Sequence, residues 1–108
     1  ETITLTKGSS NNGGSNIYEV ATAKGAKVVV VAENLQDGEK EFIEFGVTDD
    51  GTDVFHTEYG NLRTDYQLIV PSFEFTATSE ARLNILLGAN VPATNSVKIT
   101  FSSTITKK

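Results

Sequence analysis

Residues 42–60, FIEFGVTDDGTDVFHTEYG, hold the only histidine of the chain, His56, with Glu58 two positions further on and Glu44 in the facing run. A carboxylate beside an imidazole can orient it for proton transfer or help it hold a metal. The same stretch gathers Asp49, Asp50 and Asp53 around Gly51, oxygen donors of the kind that bind calcium. Either chemistry needs more than these residues supply. There is no second nitrogen ligand, and with no cysteine in the chain neither a thiolate site nor a disulfide can form. The aspartates lack the alternate spacing and the distant bidentate glutamate of an EF-hand, and Asp and Gly are what a tight hairpin turn requires anyway. No G-x-S-x-G elbow is present, and GSSNNGGS lacks the lysine and the strand-to-helix setting of a phosphate cradle. Three tyrosines (Tyr18, Tyr59 and Tyr66) and no tryptophan leave no obvious platform for stacking a sugar ring. The residues therefore predict a protein that is not an enzyme and has no metal site and no cofactor.

The elements that would carry these side chains are strands. Threonine, valine and glycine are abundant, and no segment keeps apolar residues at helical spacing for three turns. The best helical candidate, NIYEVATAKGAK, is cut short by Gly25. TITLT (2–6), IYEVATA (17–23), KVVVVAENL (27–35), KEFIEFGVT (40–48) and TDVFHTEYG (52–60) alternate or run apolar between turn signals. KGSSNNGGSN (7–16) reads as a flexible loop.

Turn chemistry predicts register. Asp37-Gly38 as a two-residue loop places Val30 opposite Phe45 and Val28 opposite Val47. A three-residue loop with Gly51 left-handed places Phe45 opposite Phe55 and Glu44 opposite His56, on the outer face. The two turns agree on an inner set of Val28, Val30, Ala32, Ile43, Phe45, Val47 and Phe55. PSFEFTA (71–77) and ARLNILL (81–87) form a second hairpin, pairing Phe75 with Leu83 and Phe73 with Ile85. The apolar phase of DYQLIVPSFEF changes near Pro71, which predicts a bulge or a strand crossing there. SVKITFSSTI (96–105) alternates Val97, Ile99, Phe101 and Ile105 inward. Seven or eight short antiparallel strands with two facing apolar sets make an all-β sandwich, one domain over residues 1–108.

The chain has 108 residues, 38% hydrophobic and 21% charged, which suits one globular core. A net charge of −5 without clustered lysine and arginine argues against nucleic acid and anionic membrane surfaces as partners. No apolar run approaches the roughly 20 residues of a membrane span. A start at Glu1 and the lack of any methionine point to a processed product or part of a longer polypeptide.

The same register puts Val29, Val31, Phe42 and Val54 on the outer face of the meander, with Gly46 among them. A free sandwich presents mostly polar residues there. Either the amino-terminal segment folds over this patch or a neighbouring subunit covers it. These four residues are the candidate interface.

AKGAKVVVVAE, EFIEFGVTDDGTDVFHTEYGNLRT and LNILLGANVPATNSVKITFSSTITKK resemble β-sandwich domains of virion structural and appendage proteins of marine tailed phages, cyanophages especially. The resemblance spans about residues 20 to 108 and includes no catalytic motif; KGSSNNGGSN and DYQLIVPSFEF have no counterpart in it. It implies a structural role in a virion, as capsid decoration, neck, baseplate or fibre component. Its partners would be copies of itself and other virion proteins, and its location the extracellular particle. The alternative from a different class is a carbohydrate- or receptor-binding module, at a fibre tip or in a secreted adhesin, using loops around Asn61–Asp65 and Gly88–Asn95.

Overall fold

A computed structural model describes residues 1–8 and 11–108. Eight strands follow one another: β1 (Thr2–Thr6), β2 (Asn12–Glu19), β3 (Ala23–Asn34), β4 (Lys40–Asp49), β5 (Val54–Arg63), β6 (Ile69–Phe75), β7 (Glu80–Leu87) and β8 (Ser96–Lys107). They form two antiparallel sheets, a five-stranded one in the order β1-β8-β3-β4-β5 and a three-stranded one in the order β2-β7-β6. The fold is the expected all-β sandwich.

The core is the space between the sheets. From the larger sheet it receives Val28 and Val30 of β3, Ile43 and Phe45 of β4, and Val97 and Ile99 of β8, all buried. The smaller sheet answers with Ile69, Leu83, Ile85 and Leu87. β-Branched residues suit this pleated, half-buried surface, and each fully buried Val, Ile or Leu contributes about 1.5–3 kcal/mol.

Several boundaries differ from the sequence reading. The second strand starts at Asn12 and ends at Glu19, so half of the supposed loop 7–16 pairs with β7. Ser9 and Ser10 of that loop lie outside the described residues. The turn between β3 and β4 is longer than two residues. The Asn34 N–H donates to the Glu39 carbonyl (2.9 Å), and the Asn34 amide oxygen accepts from the Gln36 N–H (3.0 Å), closing a loop over residues 35–38. The register therefore moves by two residues: Val28 faces Phe45 and Val30 faces Ile43. An even shift keeps every side chain on its expected face. The same holds for β6 and β7, where Phe75 pairs with Ala81 and Phe73 with Leu83.

Pro71 causes no bulge. β6 pairs regularly through it, because β6 is an edge strand and a missing N–H is tolerated there. The phase change falls at Leu68 and Ile69, consecutive and both buried, where the chain passes from one sheet to the other.

The turn between β4 and β5 alters the faces. Asp50 donates its N–H to the Asp53 carbonyl (3.2 Å), and Asp49 rather than Thr48 forms the last pair, with Val54. Compared with the expected pairing this is an odd shift, and it inverts the first half of β5. Thr48 now faces Phe55 and Val47 faces His56. Phe55 stands outside instead of in the core, and Val54 packs against the core instead of lying on the outer face. A bulge at Tyr59, between the pairs Phe45–Glu58 and Glu44–Gly60, then restores the phase, so that Phe42 faces Leu62.

Candidate functional site

The residues singled out for chemistry are not brought together. Glu44 faces Gly60 and forms an ion pair with Lys27 (2.6 Å) on the outer face of the larger sheet. His56 lies on the opposite face, its ring 4.7 Å from that of Phe73 and 6.0 Å from that of Phe45. The imidazole packs on these two rings while His56 remains exposed. Among the described residues no three His, Asp or Glu side chains converge on a common point.

The aspartates are occupied by the turn. Asp50 Oδ1 accepts from the N–H groups of Thr52 (2.9 Å) and Asp53 (2.8 Å), and the Asp53 N–H, followed by that of Thr52, holds the Asp50 carboxyl below its ordinary range. Asp49 accepts from the Gly51 N–H (2.9 Å) and the Tyr18 hydroxyl (2.8 Å). Burial first, then that contact with Asp49, pushes the Tyr18 phenol well above its usual value. Carboxylate oxygens already used as turn acceptors are poor cation ligands. Thermal melts with excess chelator and with added calcium should therefore superimpose; a calcium-dependent rise of several degrees would contradict this assignment of the turn.

The loops proposed for a receptor site are tied down. Glu41, fully buried, accepts through Oε2 from Arg63 Nε (2.8 Å) and Asn61 Nδ2 (3.1 Å). Through Oε1 it accepts from the N–H groups of Leu68 (2.8 Å) and Ile69 (3.2 Å). Asn95 donates from Nδ2 to Asn34 Oδ1 (3.3 Å), and Asn34 Nδ2 donates to the Tyr66 hydroxyl (2.8 Å). Both 61–65 and 88–95 are thus braced from within. Sequence reasoning passed over Glu41, although its odd position places it in phase with Ile43, Phe45 and Val47, on the face that is buried.

Three of the four candidate interface residues keep their predicted place. Val29, Val31 and Phe42 lie on the outer face of the larger sheet, whereas Val54 turns inward because of the odd shift. Val31 is 37% exposed and Phe42 38%. Leu62, unmarked by the sequence reading, lies beside Phe42 and is 72% exposed. The cross-strand row Thr100–Val31–Phe42–Leu62 therefore carries three apolar side chains in a line. Among the described residues the amino-terminal strands do not cover them: β1 extends the larger sheet beyond β8, and β2 belongs to the smaller sheet.

Nearer the β4–β5 turn, the same outer face has a depression of about 670 Å³. Gly25 and Gly46 are among its lining residues, with Phe55 and Tyr59 on the β5 side. A Cβ on Gly46 would come within 2.5 Å of the Tyr59 hydroxyl oxygen, so that glycine accommodates the tyrosine of the same chain rather than a foreign backbone.

No family model matches the sequence, and no curated protein matches it. Among solved structures, the chain is similar to the tailspike protein of Acinetobacter phage vB_ApiP_P1, with a TM-score of 0.56 and 11% identity. The likeness covers 99% of this chain and 22% of the tailspike chain. At that identity it is a likeness of fold: this sandwich also occurs as a portion of a phage tail component.

Proposed function

We propose that this domain is a non-enzymatic building block of a tailed-phage particle, of the marine kind that the sequence resembles. It acts through contacts with copies of itself and with other virion proteins. The observation that carries this reading is the exposed apolar row Val31–Phe42–Leu62, with Val29 beside it. The tailspike likeness supports it at the level of fold. Five strands at about 4.8 Å spacing and about ten residues of strand length give a face on the order of 800 Å². That is what one partner contributes to a standard interface, and flat sheet faces stack readily at about 10 Å.

Charged substitutions in the row test the proposal. Val31→Glu and Phe42→Glu point outward, so each should leave the monomer folded by circular dichroism. Each places an unpaired carboxylate at the centre of the contact and should weaken self-association more than tenfold in analytical ultracentrifugation. Normal assembly of both variants would sink this face as the interface.

A further inference from the structure

The depression beside Phe55 and Tyr59 has a makeup that fits a ligand more closely than it fits a protein partner. We propose that it binds a pyranose ring of a glycan chain, with Phe55 and Tyr59 as stacking walls. Both rings lie on edge strand β5 and are unusually open to water, Phe55 at 53% exposure and Tyr59 at 68%. The four-residue turn after Asp49 and the bulge at Tyr59 together bring these two aromatics to one face. A sequence alternating without the odd shift would have buried Phe55. Exposing it forfeits a large apolar burial, of which no part returns through contact within this chain's core.

The rest of the lining has the complementary chemistry. The Tyr59 ring lies over Gly46, so that glycine lets the aromatic sit flat against the sheet as a surface on which a second ring can stack. Thr57, Thr106 and Lys24 are among the lining residues and can supply hydroxyls and an ammonium beside the two rings. Lys27 already holds Glu44, whereas Lys24 takes part in none of the ion pairs among the described residues. A pyranose presents an apolar C–H face and an equatorial belt of hydroxyls, sometimes with a carboxylate. Exposed aromatic rings with hydrogen-bonding groups among the same lining residues match that distribution.

This subsite lies at one end of the face proposed for assembly, away from the centre of the contact. Gly46 and Phe42 stand four residues apart on β4, about 13 Å at the strand rise, so a contact centred on Phe42 leaves the depression at its margin.

The test is a titration of isotope-labelled protein, followed through its amide resonances, with maltohexaose, chitohexaose and hexagalacturonate. These are neutral, N-acetylated and carboxylate-bearing pyranose chains. At least one should shift the Gly25, Gly46 and Thr106 amides saturably. Phe55→Ala should weaken that binding about tenfold with an unchanged melting temperature. Tyr59→Phe keeps the ring over Gly46 and should bind within about twofold of the parent chain, while Val31→Glu should bind normally. Three results would each overturn the proposal: no shift at those amides with any of the three chains, saturable shifts confined to residues 61–65 or 88–95, or undiminished binding by Phe55→Ala.

Discussion

Phe45→Ala is expected to destabilise the domain by about 3–5 kcal/mol. Phe45 is buried at the middle of β4, between Val28 on one neighbouring strand and Glu58 on the other. Its ring meets that of Phe73 edge-on at 5.0 Å, so one side chain joins the two sheets. Truncation removes that aromatic contact and leaves a cavity that rigid strands on both sides cannot close. His56→Ala is the informative comparison. The imidazole also touches Phe73 and Phe45, but water reaches it, and its loss should cost about 0.5–1.5 kcal/mol. Guanidinium denaturation of both variants measures the difference. Equal losses would mean that Phe45 is not the link between the sheets.

Glu41→Ala should be as damaging, at about 3–5 kcal/mol, although it deletes a charge. The carboxylate satisfies two backbone N–H groups on the passage from β5 to β6 and two side chains on β5. Arg63 is partly exposed and can turn to water, but Leu68 and Ile69 are buried, and their N–H groups lose the acceptor that Glu41 Oε1 supplies. Each such orphan costs about 1–3 kcal/mol. Glu41→Gln retains the shape and one acceptor oxygen while aiming an NH₂ at existing donors, and should lose less than the alanine variant. A loss below about 1 kcal/mol for Glu41→Ala would show that the passage between the sheets is held by packing alone.

What the sequence revealed and concealed divides along physical lines. Alternation in 27–48 and 96–101 identified which side chains face inward, since side-chain direction follows from period two and survives any even error in turn length. Turn length itself was not legible. Asn34 closes the β3–β4 loop with its side-chain amide, and Asp50 accepts two N–H groups in the next turn, lengthening both beyond their shortest Gly-containing forms. The first error was even and harmless; the second was odd and moved Phe55 outward and Val54 inward. The bulge at Tyr59 left no mark in the alternation, because its ring is accommodated by Gly46 on the neighbouring strand, a pairing that only the finished register sets. For the same reason the depression between Phe55 and Tyr59 could not be foreseen, whereas the Val29, Val31 and Phe42 surface could.

The strand order also governs when the domain can be completed. The meander β3-β4-β5 and the hairpin β6-β7 form from neighbours in the chain, but the other edge of β3 pairs with β8, as where Val30 meets Phe101. Those partners are 71 positions apart (101 − 30). At about 5–20 residues per second of synthesis, roughly 4–14 s separate them. Throughout that interval the VVVV run of β3 has one unpaired edge, and it is the most aggregation-prone stretch of the nascent chain. The last strand of this domain to be made is thus the one that covers the open edge of β3, and production of the domain should be limited by how well the growing chain is shielded until β8 emerges.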